Sequence, residues 1–347
     1  MAKRRIHLDS AAGQAWPEAA RAVLSAAAAA AWSLPQSVHH EAALARSVRD
    51  SAVADLAAAW GVPTGQVRPV HGLAAAIRLA VSGDWRASVV GATCRQGVRG
   101  IVDRGGLTVW PVDGGGRLRP SPVPDTELVC VQAGNPETGA IDDVAAARAA
   151  APGARVVVDA TEWFGRMPGL PEGDVLIARA SSWGGPASVC FVIGAGLPQL
   201  AAKEAAMLEP DPVLLAAAAT AWSAVGDVAA RAAAHRSWLA ELEASLAGVL
   251  GVRAHRPSGP ALPHLLSLSV DGVDGEALAI ELDRRGFAVG SGSACEFGST
   301  KPSHVLAAMG EEAAASIRLG LPLHTERADL LAFAAELPGA VSALRLP

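Results

Sequence analysis

The sequence has few cysteines and few aromatic residues. Its four cysteines, Cys94, Cys130, Cys190 and Cys295, form no Cys-x-x-Cys pair and have no metal-ligand spacing. This pattern favours a reducing compartment. Aromatic residues make up 4% of the 347 residues, whereas 51% of the residues are hydrophobic. The core must therefore be built largely from Ala, Val and Leu.

Long apolar runs and clusters of one charge are also missing. No run reaches the length of a membrane span without a charge or a proline, and the N-terminal MAKRRIHLDS has no apolar segment after its basic residues. The net charge is −5 and the basic residues are scattered, which argues against a nucleic-acid partner. We expect a cytoplasmic protein with no nucleic-acid or membrane partner.

Seven short, Val-rich segments indicate β-strands, and helical patterns at residues 72–81 and 142–150 lie between them. The strand segments are residues 67–70, 87–91, 107–111, 127–132, 155–159, 174–179 and 188–193. Strands that alternate with helices predict an α/β fold with a mostly parallel sheet. Ligands of such sheets bind beyond the carboxyl ends of the strands, so chemistry is expected there.

The flanking segments predict further helices and a second domain. We predict a helix over residues 16–32 with Pro17 at its first position, and a helix over 38–60 capped by Ser37. Residues 211–250 indicate one long helical stretch, and the segments after it indicate a smaller α+β domain. We place the large domain at residues 1–215 and the small domain at 216–347.

One glycine-rich loop and the residues after it carry the strongest signal. Residues 290–310, GSGSACEFGSTKPSHVLAAMG, place Cys295 among small residues that permit unusual backbone angles. This stretch resembles the catalytic-cysteine loop of the NifS/IscS-like cysteine desulfurases, which are class V aminotransferases dependent on pyridoxal phosphate (PLP). Without that resemblance, Cys295 is equally a buried structural thiol on a turn.

The resemblance implies PLP-dependent transferase fold type I, with a large domain built on a seven-stranded, mostly parallel sheet and a smaller α+β domain. It also implies a homodimer, PLP as cofactor, and a loop cysteine that takes sulfur as a persulfide and passes it to an acceptor protein. Cys295 is then the catalytic residue.

Several cofactor positions of the family are matched or altered. Asp159, at the end of VVVDA, resembles the acid that pairs with the pyridinium nitrogen, although a strand-terminal Asp that caps a helix is the alternative. Glu162 stands where the family has Gln. Gly72 alone is kept in the phosphate turn, in which Ala74 replaces a Thr. Arg95 falls near the ring-stacking His, and a salt bridge or a surface position is its alternative role.

The Schiff-base lysine is the main departure. Aligning SSWGGP with the family pattern puts Ser182 at the lysine and Ser181 at the His before it. The sequence holds three lysines, Lys3, Lys203 and Lys301, and none follows a central strand. Covalent PLP binding is therefore not expected.

The substrate positions are closer to the family. Arg318, in SIRLGLP, resembles the arginine that holds the substrate carboxylate, for which a guanidinium fork is suited. A structural ion pair is its alternative. Asn135 matches one Asn of the family's Asn-Asn-Glu-x-Gly turn. His39 falls on a family His, but His39 and His40 are equally an exposed pair at a helix start.

Three hypotheses follow for the function. The first is a sulfur-handling protein that carries a persulfide on Cys295, or acts on a related ligand, without standard PLP catalysis. The second is a non-catalytic pseudoenzyme that pairs with an active cysteine desulfurase. The third is a PLP-dependent enzyme with non-covalent or altered use of the cofactor.

Overall fold

The computed structural model describes residues 4–103, 105–198, 204, 207–291, 303–310 and 316–345. The loop with Cys295 and all three lysines lie outside these residues. The described strands form two sheets, one of seven strands and one of five. The architecture is mixed α/β with a seven-stranded, mostly parallel sheet, as the sequence predicted.

The strands of the seven-stranded sheet are β2 (Val67–His71), β3 (Ser88–Gly91), β4 (Leu107–Trp110), β5 (Leu128–Gln132), β6 (Arg155–Asp159), β7 (Val175–Arg179) and β8 (Val189–Gly194). Their order is β2-β8-β7-β6-β5-β3-β4. The ladders among β4, β3, β5, β6 and β7 are parallel, whereas β8 pairs antiparallel with both β7 and β2. All seven strands coincide with predicted segments.

The five-stranded sheet contains β1 (Ile6–Leu8), β9 (Val252–His255), β10 (Leu265–Val270), β11 (Phe287–Ser291) and β12 (Ser316–Gly320), in the order β1-β11-β12-β10-β9. The first strand of the chain pairs parallel with β11 and thereby joins the C-terminal sheet. The domain limits 1–215 and 216–347 stay a prediction.

The described helices are α1 (Glu18–Ala30), α2 (His40–Trp60), α3 (Leu73–Ala80), α4 (Gln96–Val102), α5 (Val144–Ala150), α6 (Pro212–Ser223), α7 (Val228–Leu246), α8 (Gly275–Arg284), α9 (His304–Ala308) and α10 (Arg327–Leu344). No single helix among the described residues has the length and apolar character needed to cross a membrane, although the bent pair of α6 and α7 reaches that limit when taken together.

Three expectations about helices were wrong in detail. Pro17 is the N-cap of α1 rather than its first residue. His39, not Ser37, caps α2, because its Nδ1 accepts the amide of Ala42 at 3.3 Å. Residues 211–250 form two helices instead of one, because Gly226 adopts φ +69° and the carboxylate of Asp227 caps a new helix.

The core under the large sheet contains a cluster of aromatic rings despite the low aromatic content. Trp60 makes edge-to-face contacts with Phe164, Trp183, Phe191 and Trp222 at centroid distances of 5.1–5.8 Å. Such contacts add to the burial of apolar area. The cluster fixes α2 against the turn that follows β7, where Ser181 and Ser182 lie.

Candidate functional site

Asp159 ends the central strand β6 and is held there by an ion pair. One carboxylate oxygen, Oδ2, accepts the Nε–H of Arg95 at 2.8 Å. The other, Oδ1, accepts the backbone amide and the hydroxyl of Thr161 at 3.0 and 2.6 Å. Arg95 also donates to the Thr161 hydroxyl at 3.0 Å. The three side chains form a closed cluster, so the buried carboxylate has its charge balanced and both oxygens bonded within the chain.

Arg95 reaches Asp159 because parallel strands end at one edge of the sheet. It precedes α4, in the segment that follows β3, and β3 and β6 flank β5. Of the roles considered for Arg95, the structure shows the salt bridge. Arg179 lies at the end of β7, and its Nε–H donates to the carbonyl of Ala187 at 3.3 Å.

Ser181 and Ser182 lie in a single-turn helix, Ala180–Trp183, directly after β7. The hydroxyl of Ser182 donates to the carbonyl of Thr161. The side-chain Nε2 of Gln14 donates to the backbone carbonyls of Ser181 and Ser182 at 3.1 and 2.9 Å. The Ser182 side chain thus contacts the loop that holds the Asp159 cluster. It offers an alcohol there, already hydrogen-bonded, and no amine.

Glu162 lies in a second buried polar group, between the two sheets. Its Oε2 lies 3.2 Å from His264 Nε2. Burial raises the pKa of Glu162, but the hydrogen bond and charge of His264, with Arg95 and Arg166, bring this pKa below its usual value. Burial and the charge of Arg166 lower the pKa of His264 to about 4, so the imidazole is neutral and donates to the carboxylate. Arg166 itself donates to the carbonyl of Leu321 at 2.6 Å.

Gly72 and Ala74 lie at the start of α3. Gly72 takes a left-handed conformation, φ +85°, that favours glycine, and its amide donates to the carbonyl of Ser188 at 2.7 Å. Ala74 faces a cavity of about 590 Å³ whose wall also includes Arg95. Gly72 and Ala74 therefore lie at the same end of the sheet as Asp159.

Asn135 stabilises its own turn. Its Oδ1 accepts the amides of Glu137 and Thr138, both at 2.9 Å, and its Nδ2 donates to Gln132 Oε1 at 3.1 Å. The side chain is 2% exposed. The turn brings the carbonyl of Pro136 to Arg318.

Arg318, on β12, connects three parts of the chain. Its Nη1 donates to the carbonyl of Pro136 at 3.1 Å and its Nη2 to Asp9 at 3.0 Å. Gly290 lies so close to this pair that a Cβ there would be 2.9 Å from the guanidinium. Arg318 therefore forms an ion pair with Asp9, which was the alternative role for it.

His39 is an exposed helix cap. Its Nδ1 lies 3.0 Å from the carboxylate of Glu41 and also accepts the amide of Ala42. Within the described ranges no hydrogen bond joins it to the Asp159 cluster. His39 therefore has its alternative role, that of an exposed residue at a helix start.

Cys295 lies outside the described residues, and the other three thiols are buried. Burial raises the pKa of Cys94 well above its usual value and the pKa of Cys130 and Cys190 to about 12. The Cys94 thiol also donates to the carbonyl of Cys130 at 3.2 Å. These three thiols are poor nucleophiles.

Sequence reasoning missed three polar residues beside Asp159: Thr161, Gln132 and Thr93. Gln132 ends β5, so the rule that ligands bind beyond strand ends would have found it. The same rule covers Thr161 and Thr93, because each lies two residues beyond the end of a parallel strand, β6 and β3 respectively.

The fold is that of a class V aminotransferase. Residues 210–333 match the Aminotransferase class-V family model. A solved NifS-like protein superposes with a TM-score of 0.84 over 98% of this chain and all of the other, at 21% identity. The apo cysteine desulfurase of Thermococcus onnurineus gives a TM-score of 0.80 over 98% of this chain and 95% of the other, at 15% identity.

The sequence matches define the family more narrowly. The cysteine desulfurase of Cereibacter sphaeroides is 31% identical over 264 residues, which are 69% of this chain and 68% of that protein. A putative cysteine desulfurase of Bacillus subtilis is 54% identical over 67 residues, although this match spans only 18% of each protein. The chain belongs to the NifS/IscS-like cysteine desulfurase family.

This family is PLP-dependent, but the residues around Asp159 do not fit that cofactor. A pyridinium nitrogen at Asp159 would have to compete with Arg95 and Thr161 for the carboxylate oxygens. A ring placed there would also put its positive charge next to the guanidinium. Ser182 supplies no amine for a Schiff base.

We expect the Arg95–Asp159 pair to be strongly coupled in stability. Arg95→Gln would leave a buried carboxylate without its counter-charge; because the Arg95 side chain is 24% exposed, we expect a loss of about 2 kcal/mol. A double-mutant cycle with Asp159→Asn, measured by urea unfolding, should give a coupling energy of about 1–3 kcal/mol. The exposed pair Arg119–Asp113, treated the same way, should give less than about 1 kcal/mol. Equal coupling in the two cycles would contradict the assignment.

The buried histidines predict that stability falls in mild acid. Burial lowers the pKa of His264 to about 4 and, with the charge of Arg166, the pKa of His235 to about 3, against 6.5 in the unfolded chain. The unfolded state therefore binds more protons below pH 6.5. We expect each histidine to lower the free energy of unfolding by about 1 kcal/mol per pH unit from pH 6.5 toward pH 4. The buried Asp142, whose pKa is raised by burial to about 7, opposes part of this fall.

Urea unfolding between pH 7.5 and 4.5 would measure this slope. His235→Gln should reduce it by about 1 kcal/mol per pH unit, and His40→Gln, at an exposed helix start, should leave it unchanged. An unchanged slope in His235→Gln would refute this account.

Proposed function

We propose that this cysteine desulfurase homologue carries sulfur as a persulfide on Cys295 and does not form a Schiff base with PLP. The main support is the closed Arg95–Asp159–Thr161 cluster, which occupies the carboxylate that a PLP ring would require. Ser182, at the family's lysine position, donates to the carbonyl of Thr161 and supports the same conclusion.

The sulfur step needs only a thiolate and a persulfide donor. The Cys295 thiolate attacks the terminal sulfur of a donor R–S–SH, and the S–S bond of the donor breaks. Cys295 becomes Cys–S–SH while the donor leaves as the thiolate R–S⁻, so no net oxidation occurs. The other three thiols are poorly suited because they are buried and their pKa values are raised. A donor enzyme of the same family and an acceptor protein are the partners this role requires.

A second candidate function is a non-catalytic partner of an active desulfurase, within a homodimer or a heterodimer. The observation that favours it is the pairing of Arg318 with Asp9 and Pro136, since the family's substrate-carboxylate arginine is here bonded to the protein. Co-purification with a lysine-bearing relative would support this candidate. PLP held without a covalent bond, and the cytoplasmic location, also stay predictions.

We expect Cys295 to accept sulfur from a small-molecule persulfide. After incubation with the donor and alkylation, intact-mass measurement should show one added sulfur, and peptide mapping should place it on Cys295. Cys295→Ser should lose the adduct, while the buried Cys94, Cys130 and Cys190 stay unmodified in both proteins. An adduct that persists in Cys295→Ser, or none in the parent protein, would remove the persulfide role.

We also expect no Schiff base with PLP. After incubation with stoichiometric PLP and reduction with borohydride, mass spectrometry should find no pyridoxyl adduct on Lys3, Lys203 or Lys301. An active cysteine desulfurase with its Schiff-base lysine is the positive control. A stoichiometric pyridoxyl-lysine peptide would overturn the proposed loss of covalent cofactor chemistry.

A further inference from the structure

The cavity beside Asp159 contains polar atoms without partners. Thr93 and Gln132 both line it, and the hydroxyl of Thr93 and the Nε2 of Gln132 have no hydrogen-bond partner among the described residues. Thr93 is 2% exposed and Gln132 is 1% exposed. Leaving such buried groups unpaired costs about 1–3 kcal/mol each, so their presence points to a bound partner.

One end of the cavity favours negative charge. Leu73 and Ala74, in the first turn of α3, line it, and the amides of this turn have no acceptor within the helix. Arg78, one turn later, also lines the cavity and makes no ion pair in the described parts of the chain. Together they form a site for an anionic group.

The rest of the cavity is mainly apolar. Ile77, Ile101 and Val305 form part of its wall, and its volume of about 590 Å³ lies in the usual range for small-molecule sites. Among the described lining residues, Glu137 carries a carboxylate. Its Oε2 accepts a hydrogen bond from the hydroxyl of Ser303 at 2.7 Å. Arg95 also lines the cavity and pairs with Asp159, so a cationic ring at this end would lie against a guanidinium.

We propose that this cavity binds a small organic anion with an apolar, ring-sized body and no ring cation. Thr93 and Gln132 contact the body or its polar substituent, and Arg78 and the first turn of α3 bind the anionic group. This inference goes beyond the persulfide role and does not depend on Cys295.

Calorimetric titration with phenyl phosphate tests the site, because this probe has a phosphate and an aromatic body but neither a ring nitrogen nor an aldehyde. Inorganic phosphate should bind at least about tenfold more weakly, since it lacks the apolar body. Benzoate is titrated in parallel. Stronger binding of benzoate than of phenyl phosphate would still support an organic-anion site and would assign a carboxylate as the anionic group.

Two variants with matched controls locate the site. Thr93→Val should weaken the binding of phenyl phosphate about tenfold without lowering stability, because the hydroxyl it removes has no partner in the free protein. Thr126→Val removes a hydroxyl bonded to the carbonyl of Val123 outside the cavity, so it should lower stability and leave binding unchanged. Arg78→Gln should weaken binding about threefold to tenfold, and the exposed Arg86→Gln should not.

Two results would overturn the inference. One is the lack of binding by both organic anions, or equal binding in the parent protein, Thr93→Val and Arg78→Gln. The other is binding of pyridoxal phosphate without any binding of phenyl phosphate, which would mean that the ring nitrogen or the aldehyde is required. Neither result bears on the sulfur adduct of Cys295, so a failure here is distinct from a failure of the proposed function.

Discussion

The structure around the site depends on how the buried carboxylate of Asp159 is compensated. A carboxylate at the end of a central parallel strand is removed from water, and without a cation or several donors it would destabilise the fold. In this chain a neighbouring helix start supplies a guanidinium, and Thr161 supplies an amide and a hydroxyl. The compensation is internal, so the site keeps its geometry without needing a cationic ligand.

Arg318 is likewise bonded to other parts of the chain. Its guanidinium joins β12 to Asp9 after β1 and to the turn held by Asn135. Because β1 itself pairs with β11, the N-terminal segment is fixed to the C-terminal sheet by both a ladder and an ion pair. A ligand carboxylate would have to displace Asp9 to accept from Nη2 in its place. Such an exchange gains little free energy, since one carboxylate replaces another.

The fold could be predicted from sequence because its strands are short Val-rich runs with clear boundaries, and the resemblance was carried by a long loop pattern. Local details were harder. Ala-rich sequence on both sides of Gly226 hid the break between α6 and α7, and the two candidate caps of α2, Ser37 and His39, lie only two positions apart. The Arg95–Asp159 pair joins residues 64 positions apart. Sequence offered a salt bridge as one role for Arg95, but the partner follows only from strand order.

The polar atoms around Asp159 differ from those in the adjacent cavity. A simple loss of function does not explain the difference. Around Asp159 the donors and acceptors bond one another, which is expected where a site has become structural. In the adjacent cavity, Thr93 and Gln132 each have a buried polar atom without a partner in the described chain. An apolar side chain of similar shape at Thr93 would avoid that cost entirely. The free energy that the folded chain loses at these atoms is regained only when something binds there, because a bound molecule supplies the missing hydrogen bonds. The Asp159 cluster is therefore satisfied within the chain, whereas the cavity holds buried polar atoms that a bound molecule can pair.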